Sequence, residues 1–121
     1  IVIGGKTACF EGAMPGIVEE VLLSLERRQP LFLAGGFGGA TLDIIRTLRP
    51  EFAEWIPQSS DQPDARLING LKRIAEVAAA QASHNIENGL TEAENGLLAA
   101  SYRTSEISAL VGKGLARLLV E

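Results

Sequence analysis

The fold is decided by the stretch Leu31-Phe32-Leu33-Ala34-Gly35-Gly36-Phe37-Gly38-Gly39. Four apolar residues lead directly into a glycine-rich turn, and residues 39–48 follow with helical spacing. The chain opens in the same way, since Ile1-Val2-Ile3 leads into Gly4-Gly5. Because both runs are apolar on both faces, they are typical of central strands in a parallel sheet covered by helices. The sequence therefore predicts two β-loop-α units and an α/β fold.

Five helices are predicted from apolar residues at helical spacing. The first begins near Pro15 and ends before Pro30, the second covers 39–48, and the third covers 64–82. A fourth begins at Thr91, since Thr91-x-x-Glu94 has the spacing of a capping box, and the fifth covers 104–119. The predicted inward residues are Leu42, Ile45 and Leu48 for the second helix, and Ile107, Leu110, Val111, Leu115 and Leu118 for the fifth.

A right-handed crossover makes the two strands parallel neighbours with the first helix between them. Two strands alone form a sheet too small for independent stability, so further strands must come from upstream or from another copy. We therefore predict a Rossmann-like parallel sheet with flanking helices, N-terminally incomplete as given. Residues 1–121 are interpreted as a single domain and as a C-terminal fragment of a longer protein.

Composition excludes several classes of protein. The 121 residues carry a net charge of −4, which argues against nucleic-acid binding through bulk positive charge. A single cysteine cannot form an internal disulfide or a zinc cluster. No apolar run approaches the roughly 20 residues that span a bilayer, and no secretory signal is visible. We therefore expect a cytoplasmic protein that is not bound to a membrane. We also expect it to contain no metal or cofactor.

Ligands of open parallel sheets bind outside the carboxyl ends of the strands, where both glycine-rich loops fall. The first loop runs from Gly4-Gly5-Lys6 through Gly12-Ala13-Met14-Pro15-Gly16 into the first helix, and the second is Gly35-Gly36-Phe37-Gly38-Gly39. Unpaired N–H groups at such turns attract phosphate, and glycine lets the backbone approach a diphosphate closely. The alternative is that both are tight turns without a ligand.

Side chains around these loops have similar alternatives. Lys6 supplies a point charge for a phosphate or is a solvated surface lysine. Glu19 and Glu20 suit ribose hydroxyls or compensate the helix dipole. Phe10 or Phe37 stacks on a base or fills the core. The weaker candidates are Asp43, Cys9 and His84, and we expect His84 to cap a helix end.

Neither loop ends in the Gly-Lys-Ser/Thr of a P-loop, and Thr41 replaces the third glycine of a dinucleotide fingerprint. The stretch 34–43 instead resembles the Pro-Gly-Gly-x-Gly-Thr-x-x-Glu signature of lysine-decarboxylase-like, cytokinin-activating LOG proteins. It departs by Ala34 for proline, an extra residue before Thr41, and Asp43 for glutamate.

Gly4-Gly5-Lys6 with Gly12-x-Met14-Pro15-Gly16-Ile17-x-Glu19-Glu20 is more similar to one branch of the wider SLOG superfamily. That branch is the SLOG domain found beside sirtuin-like or TIR domains, as in the Thoeris anti-phage effector. Asn88-Gly89-Leu90-Thr91-x-x-Glu94-Asn95 and Leu110-Val111-x-x-Gly114-Leu115 also resemble its tail.

The resemblance implies a sensor that binds a cyclic ADP-ribose isomer made by a partner TIR enzyme. Binding would activate an attached effector, commonly a sirtuin-like NAD hydrolase. By motif position, Lys6 and one of Glu19 and Glu20 are ligand contacts, and the glycine-rich loops are backbone donors. The family's ligand-binding arginine, from an earlier strand-loop unit, has no counterpart in this sequence. The segment itself would be non-catalytic and would form a homo-oligomer.

Two other functions remain open. A LOG-type phosphoribohydrolase acting on nucleoside monophosphates would need the motif glutamate, for which Asp43 is a shortened substitute, and a catalytic arginine that is not evident. An assembly domain would use its apolar helices and bind nothing at its turns.

Overall fold

The computed structural model describes residues 1–54, 63–81 and 86–120. In chain order the elements are β1 (Val2–Ile3), α1 (Gly16–Glu26), β2 (Leu33–Ala34), α2 (Gly39–Leu48), a 3-10 helix (Pro50–Phe52), α3 (Ala65–Ala80), α4 (Glu92–Ala100) and α5 (Thr104–Leu119). The predicted helices are all present in the described part of the chain, and the bounds of α2 and α5 are confirmed. Ala82 and His84, on which two predictions fall, lie outside the described residues.

The two strands pair in parallel, with Val2 opposite Leu33 and Ile3 opposite Ala34. The Val2 N–H donates to the Phe32 carbonyl oxygen over 2.8 Å. This confirms the predicted α/β class and the parallel neighbours. Within the described residues the sheet has these two strands only.

Helices cover both faces of β2. Successive residues of a strand point to opposite sides, so the residues of this segment divide between two cores. Leu31 and Leu33 enter the larger core, which packs the sheet against α1, α2 and α3. The smaller core lies on the other face, against α4 and α5, and consists of Phe32, Ala34, Leu98, Ile107 and Val111. β1 has less cover on that face, since Ile3 is 38% exposed beside the buried Ala34.

The buried face of α2 differs from the predicted one. Ile45 is fully buried as expected, but Leu42 and Leu48 are only partly buried. The residues completing the buried face are Ala40, Thr41 and Ile44. The reason is that α2 contacts the sheet, α1 and α3 at the same time. The buried residues are those that face these three neighbours, and they do not coincide with the row of leucines.

In α5, the predicted inward stripe is correct only in the first half of the helix. Ile107 and Val111 are buried together with Gly114, but Leu115 and Leu118 are 45% and 38% exposed. Gly114 is where α5 lies closest to the turn before α4, because a Cβ there would lie 2.4 Å from the Asn88 carbonyl oxygen. Every residue from 115 to 120 is exposed, so the end of α5 carries uncovered leucines.

Local signals explain the ends of the helices. Pro15 is the N-cap of α1 rather than a residue of its first turn. Arg28, which lies between the C-terminal end of α1 and Pro30, has a positive φ of 56°. The Thr91–Glu94 capping box is present with both of its hydrogen bonds. Among the described helices, none has the length and apolar character needed to cross a membrane.

Candidate functional site

The two glycine-rich loops meet at the carboxyl end of the sheet. The N–H of Ala40 donates to the Gly5 carbonyl oxygen over 3.1 Å, and the N–H of Thr41 donates to that of Gly4 over 2.9 Å. The buried Thr41 hydroxyl also donates to the Gly4 oxygen over 2.9 Å. Gly39 has a φ of +69°, and a Cβ there would lie 2.5 Å from the Gly5 oxygen. The start of α2 and the end of β1 are therefore in backbone contact.

This contact occupies part of the N-terminus of α2 and leaves the N-terminus of α1 open. Two N–H groups at the start of α2 are already bonded to the carbonyls of the first loop. At α1, the N–H groups of Gly16, Ile17 and Val18 have no protein acceptor among the described residues. Gly16 also has open space around it, because a Cβ there would meet nothing within 4 Å. The start of α1 thus offers three consecutive N–H groups to a phosphate, whereas two of those at the start of α2 are occupied.

The predicted charged residues belong to segments at the start of α1. Lys6 follows Gly5, and a Cβ at Gly5 would lie 3.0 Å from the Ile17 side chain, which places the end of β1 against the first turn of α1. Glu19 is in that first turn, and Glu20 follows it. All three charged side chains are exposed to solvent. The arrangement offers a cation and two carboxylates near unpaired N–H donors.

Two of the predicted site residues are used for packing. Pro15 is fully buried, and the partly buried Met14 packs against the larger core. A Cβ at Gly70 of α3 would lie 3.3 Å from the Met14 Cβ, so this side chain fills the contact between the first loop and α3. Their contribution to a ligand site would therefore be to position the start of α1.

The second loop divides into a packed half and an open half. A Cβ at Gly35 would lie 2.6 Å from the Ala99 carbonyl oxygen, and one at Gly36 would lie 2.0 Å from that of Ser101. These two glycines allow close approach of the chain at the end of α4. Phe37 is 50% exposed, and Gly38 has a φ of +69° with open space around it. The open half is the part that a ligand could reach.

Arg66 holds the first loop, a role for which no local sequence signal exists because the contact joins distant parts of the chain. Its guanidinium carbon lies 4.2 Å from the centre of the Phe10 ring, and its Nη1 donates to the carbonyls of Phe10 and Gly12 over 3.3 and 3.0 Å. Asp64, the N-cap of α3, accepts from the same guanidinium. Phe10 is buried, so of the two phenylalanines considered for stacking on a base only Phe37 is exposed.

Asp43, at the position of the LOG glutamate, is half-buried on α2. Burial raises the pKa of its carboxyl, and Arg46, 3.8 Å away, opposes that shift. Cys9 is exposed and lies in the first loop. The described residues contain no group of three or more histidine, cysteine or acidic side chains that could hold a metal ion.

The two C-terminal motifs of the sequence pack against each other. The buried Asn88 amide donates to the Leu31 carbonyl over 2.7 Å and to the Asn95 side chain over 2.8 Å. Glu94 accepts from Arg117 over 2.5 Å and from Lys113 over 2.6 Å. These contacts join the turn before α4 to α5 and to the start of β2, which is a structural role.

The family comparison covers the loops and most of the helices. Residues 1–98 of the 121 match the family model described as SLOG cluster2. The match includes β1, β2 and both glycine-rich loops and ends within α4. No match was found among curated proteins or among solved structures. On the extent of the family match, the chain belongs to the SLOG cluster2 family.

Proposed function

We propose that this domain binds a cyclic ADP-ribose-type nucleotide signal and thereby activates an attached, NAD-depleting effector in bacterial anti-phage defence. The observation that carries the proposal is the meeting of the two glycine-rich loops beside the unpaired N–H groups of α1. SLOG membership supports it. The proposal takes the fold as Rossmann-like, in which ligands bind outside the carboxyl ends of the strands.

Each part of such a nucleotide has a matching group. The diphosphate would accept from the N–H groups of Gly16 and Ile17 and lie near the Lys6 ammonium. The carboxylates of Glu19 and Glu20 suit ribose hydroxyls, which donate hydrogen bonds. The half-exposed Phe37 offers a ring face to a base. One lysine and a few N–H groups are enough for a single diphosphate, which agrees with the acidic composition.

Activation would follow from unequal affinity for two arrangements of the effector and this domain. A ligand can shift an equilibrium between two states only by its difference in affinity for them. The site lies between the starts of two helices that come from different β-loop-α units, so a ligand there would favour one relative placement of those helices. That placement is what an attached domain would sense.

Calorimetry with cyclic ADP-ribose isomers and ADP-ribose tests the proposal, and position 16 offers a matched pair of variants. Gly16→Pro removes one N–H donor, and the backbone can accept it because Pro15 already has φ −56° and ψ 142°. Gly16→Ala keeps the N–H. We expect binding about tenfold weaker in Gly16→Pro than in Gly16→Ala, since a hydrogen bond to a charged group contributes about 1.5–3 kcal/mol.

Lys6→Ala should weaken binding by a similar factor, whereas Lys72→Ala, at an exposed position of α3, should not. If none of these nucleotides produces a heat of binding, the sensor proposal is contradicted and the assembly domain becomes the remaining non-enzymatic function. Release of free base from AMP would instead support the LOG-type enzyme.

A further inference from the structure

The exposed side of α5 forms an uncharged face, here called the α5 face. It consists of Ser105, Ser108, Ala109, Gly112, Leu115, Ala116 and Leu119. All seven are exposed, and positions 105, 112 and 119 repeat every seven residues, as do 108 and 115, as in paired helices. The buried residues of α5, among them Ile107 and Val111, lie on the other side. A solvent-exposed helix usually carries charges on such a face.

The α5 face is complementary to itself in size. Its residues before Gly112 are small, and those after it include two leucines. If two copies pair in antiparallel orientation with Gly112 at the centre, residue numbers on opposite sides add to 224. Leu119 then lies opposite the partner's Ser105, and Leu115 opposite the partner's Ala109. Gly112 has open space around it, which allows close approach of two helix backbones at the centre.

The two ends of the helix also fit each other. A shallow depression lies at the corner between α4 and α5, and its lining includes Leu97, Tyr102 and Glu106. At the other end of α5, Leu119 and Val120 are each 84% exposed. The antiparallel arrangement brings the exposed end of one copy to the depression of the other.

Charge supports the same arrangement. Glu106 and Arg117 lie on the same flank of α5, eleven residues or about three turns apart. Arg117 and Lys113 both bind Glu94 within their own chain, so this cluster keeps one net positive charge. Antiparallel pairing about Gly112 places Glu106 of one copy level with Arg117 of this cluster in the second copy, and symmetry repeats the arrangement. A parallel pair would instead put these flanks on opposite sides of the contact and would not bring them together.

We propose that the α5 face is a docking surface for a second copy of this chain, paired antiparallel around a two-fold axis at Gly112. An α5 contact of 16 residues is about 24 Å long. A contact confined to one helix from each copy buries less surface than a standard interface of about 1,600 Å². The dimer is therefore weak, with a dissociation constant on the order of 10 µM. Its formation does not depend on the nucleotide site.

Sedimentation velocity over a concentration series tests the dimer. Gly112→Lys places two like charges at the two-fold axis, and lysine is the better helix former, so the fold is retained. Ala75→Lys adds the same charge at an exposed position of α3 and is the control. We expect at least tenfold weaker association in Gly112→Lys and wild-type association in Ala75→Lys. A wild-type monomer at about 200 µM, or unchanged association in Gly112→Lys, overturns the proposal.

Disulfide trapping tests the orientation in a Cys9→Ser background. Ser105→Cys and Leu119→Cys chains are mixed and oxidised. The antiparallel pair predicts mixed disulfides between the two variants, in excess of disulfides between identical chains. A predominance of identical pairs would show a parallel contact and overturn the antiparallel proposal.

Discussion

Thr41 shows how one residue separates this loop from a dinucleotide-binding turn. At the level of sequence it is a departure, because the fingerprint has glycine at that position. In the structure, its hydroxyl is fully buried and donates to the Gly4 carbonyl oxygen. A glycine could not make this bond. The residue that weakens one motif is therefore the residue that holds the two glycine-rich loops together.

Thr41→Val tests this role, because it keeps the shape of the side chain and removes the hydroxyl. Loss of the bond leaves the Gly4 carbonyl with the backbone N–H of residue 41 as its remaining protein donor. We expect a loss of about 1 kcal/mol in the free energy of unfolding, measured by urea denaturation. Thr47→Val is the matched control, since its hydroxyl bonds only to the Asp43 carbonyl one turn away in α2. Equal losses in the two variants would contradict the special role of Thr41.

At the scale of elements, the first loop is held by α3 rather than by its own hydrogen bonds. Arg66 stacks on Phe10 and donates to two carbonyls of the loop, while Asp64 fixes the guanidinium at the start of α3. The stacking and the hydrogen bonds are each modest in water. Together they keep a long loop against the larger core, next to the start of α1.

Arg66→Met should loosen this loop without unfolding the protein. We expect trypsin to cleave after Lys6, in the same loop, about fivefold faster, since loss of about 1 kcal/mol raises the open population by that factor. The midpoint of global unfolding should change little. Arg73→Met, at an exposed position of α3, removes a charge without touching the loop. Cleavage after Lys6 at the wild-type rate in Arg66→Met would show that the loop is held by other contacts.

The elements that the sequence predicted well are those with local signals at their ends. The capping box of Thr91 and Glu94 set the start of α4, and Pro50 followed the end of α2. The location of both glycine-rich loops at one edge also followed from the parallel strands. Contacts between distant residues could not be predicted in this way. Arg66 lies 56 residues from Phe10, and the use of α2's N–H groups by the first loop depends on how closely two backbones approach.

At the scale of the whole molecule, β2 separates two cores of unequal size. The smaller core depends on few apolar side chains, so the polar contacts around α4 and α5 have a larger share in holding these helices. Glu94 is central among them. Its carboxylate accepts from the Thr91 backbone N–H in the capping box and from Arg117, which also donates to the Gly89 carbonyl over 3.0 Å. Protonation of this one carboxylate would weaken several contacts between α4, α5 and the preceding turn.

We therefore expect the stability of the fold to depend on pH through Glu94. Its hydrogen bonds from Arg117, Lys113 and Thr91 hold the pKa of the carboxyl well below its ordinary value of 4.5. Because the pKa of this carboxyl is lower in the folded state, the ionised group stabilises the fold fully at pH values above its pKa in the unfolded chain. This stabilisation is lost as the pH falls from there through its pKa in the folded state. Glu94→Gln lacks it at every pH, so we expect its melting temperature to lie below that of the wild type at pH 7 and the two curves to converge as pH falls below 4.5. Thermal unfolding between pH 2 and 7, with Glu76→Gln on the exposed side of α3 as control, measures this. A difference that stays constant over that range would show that the loss in Glu94→Gln does not come from the charge of the carboxylate.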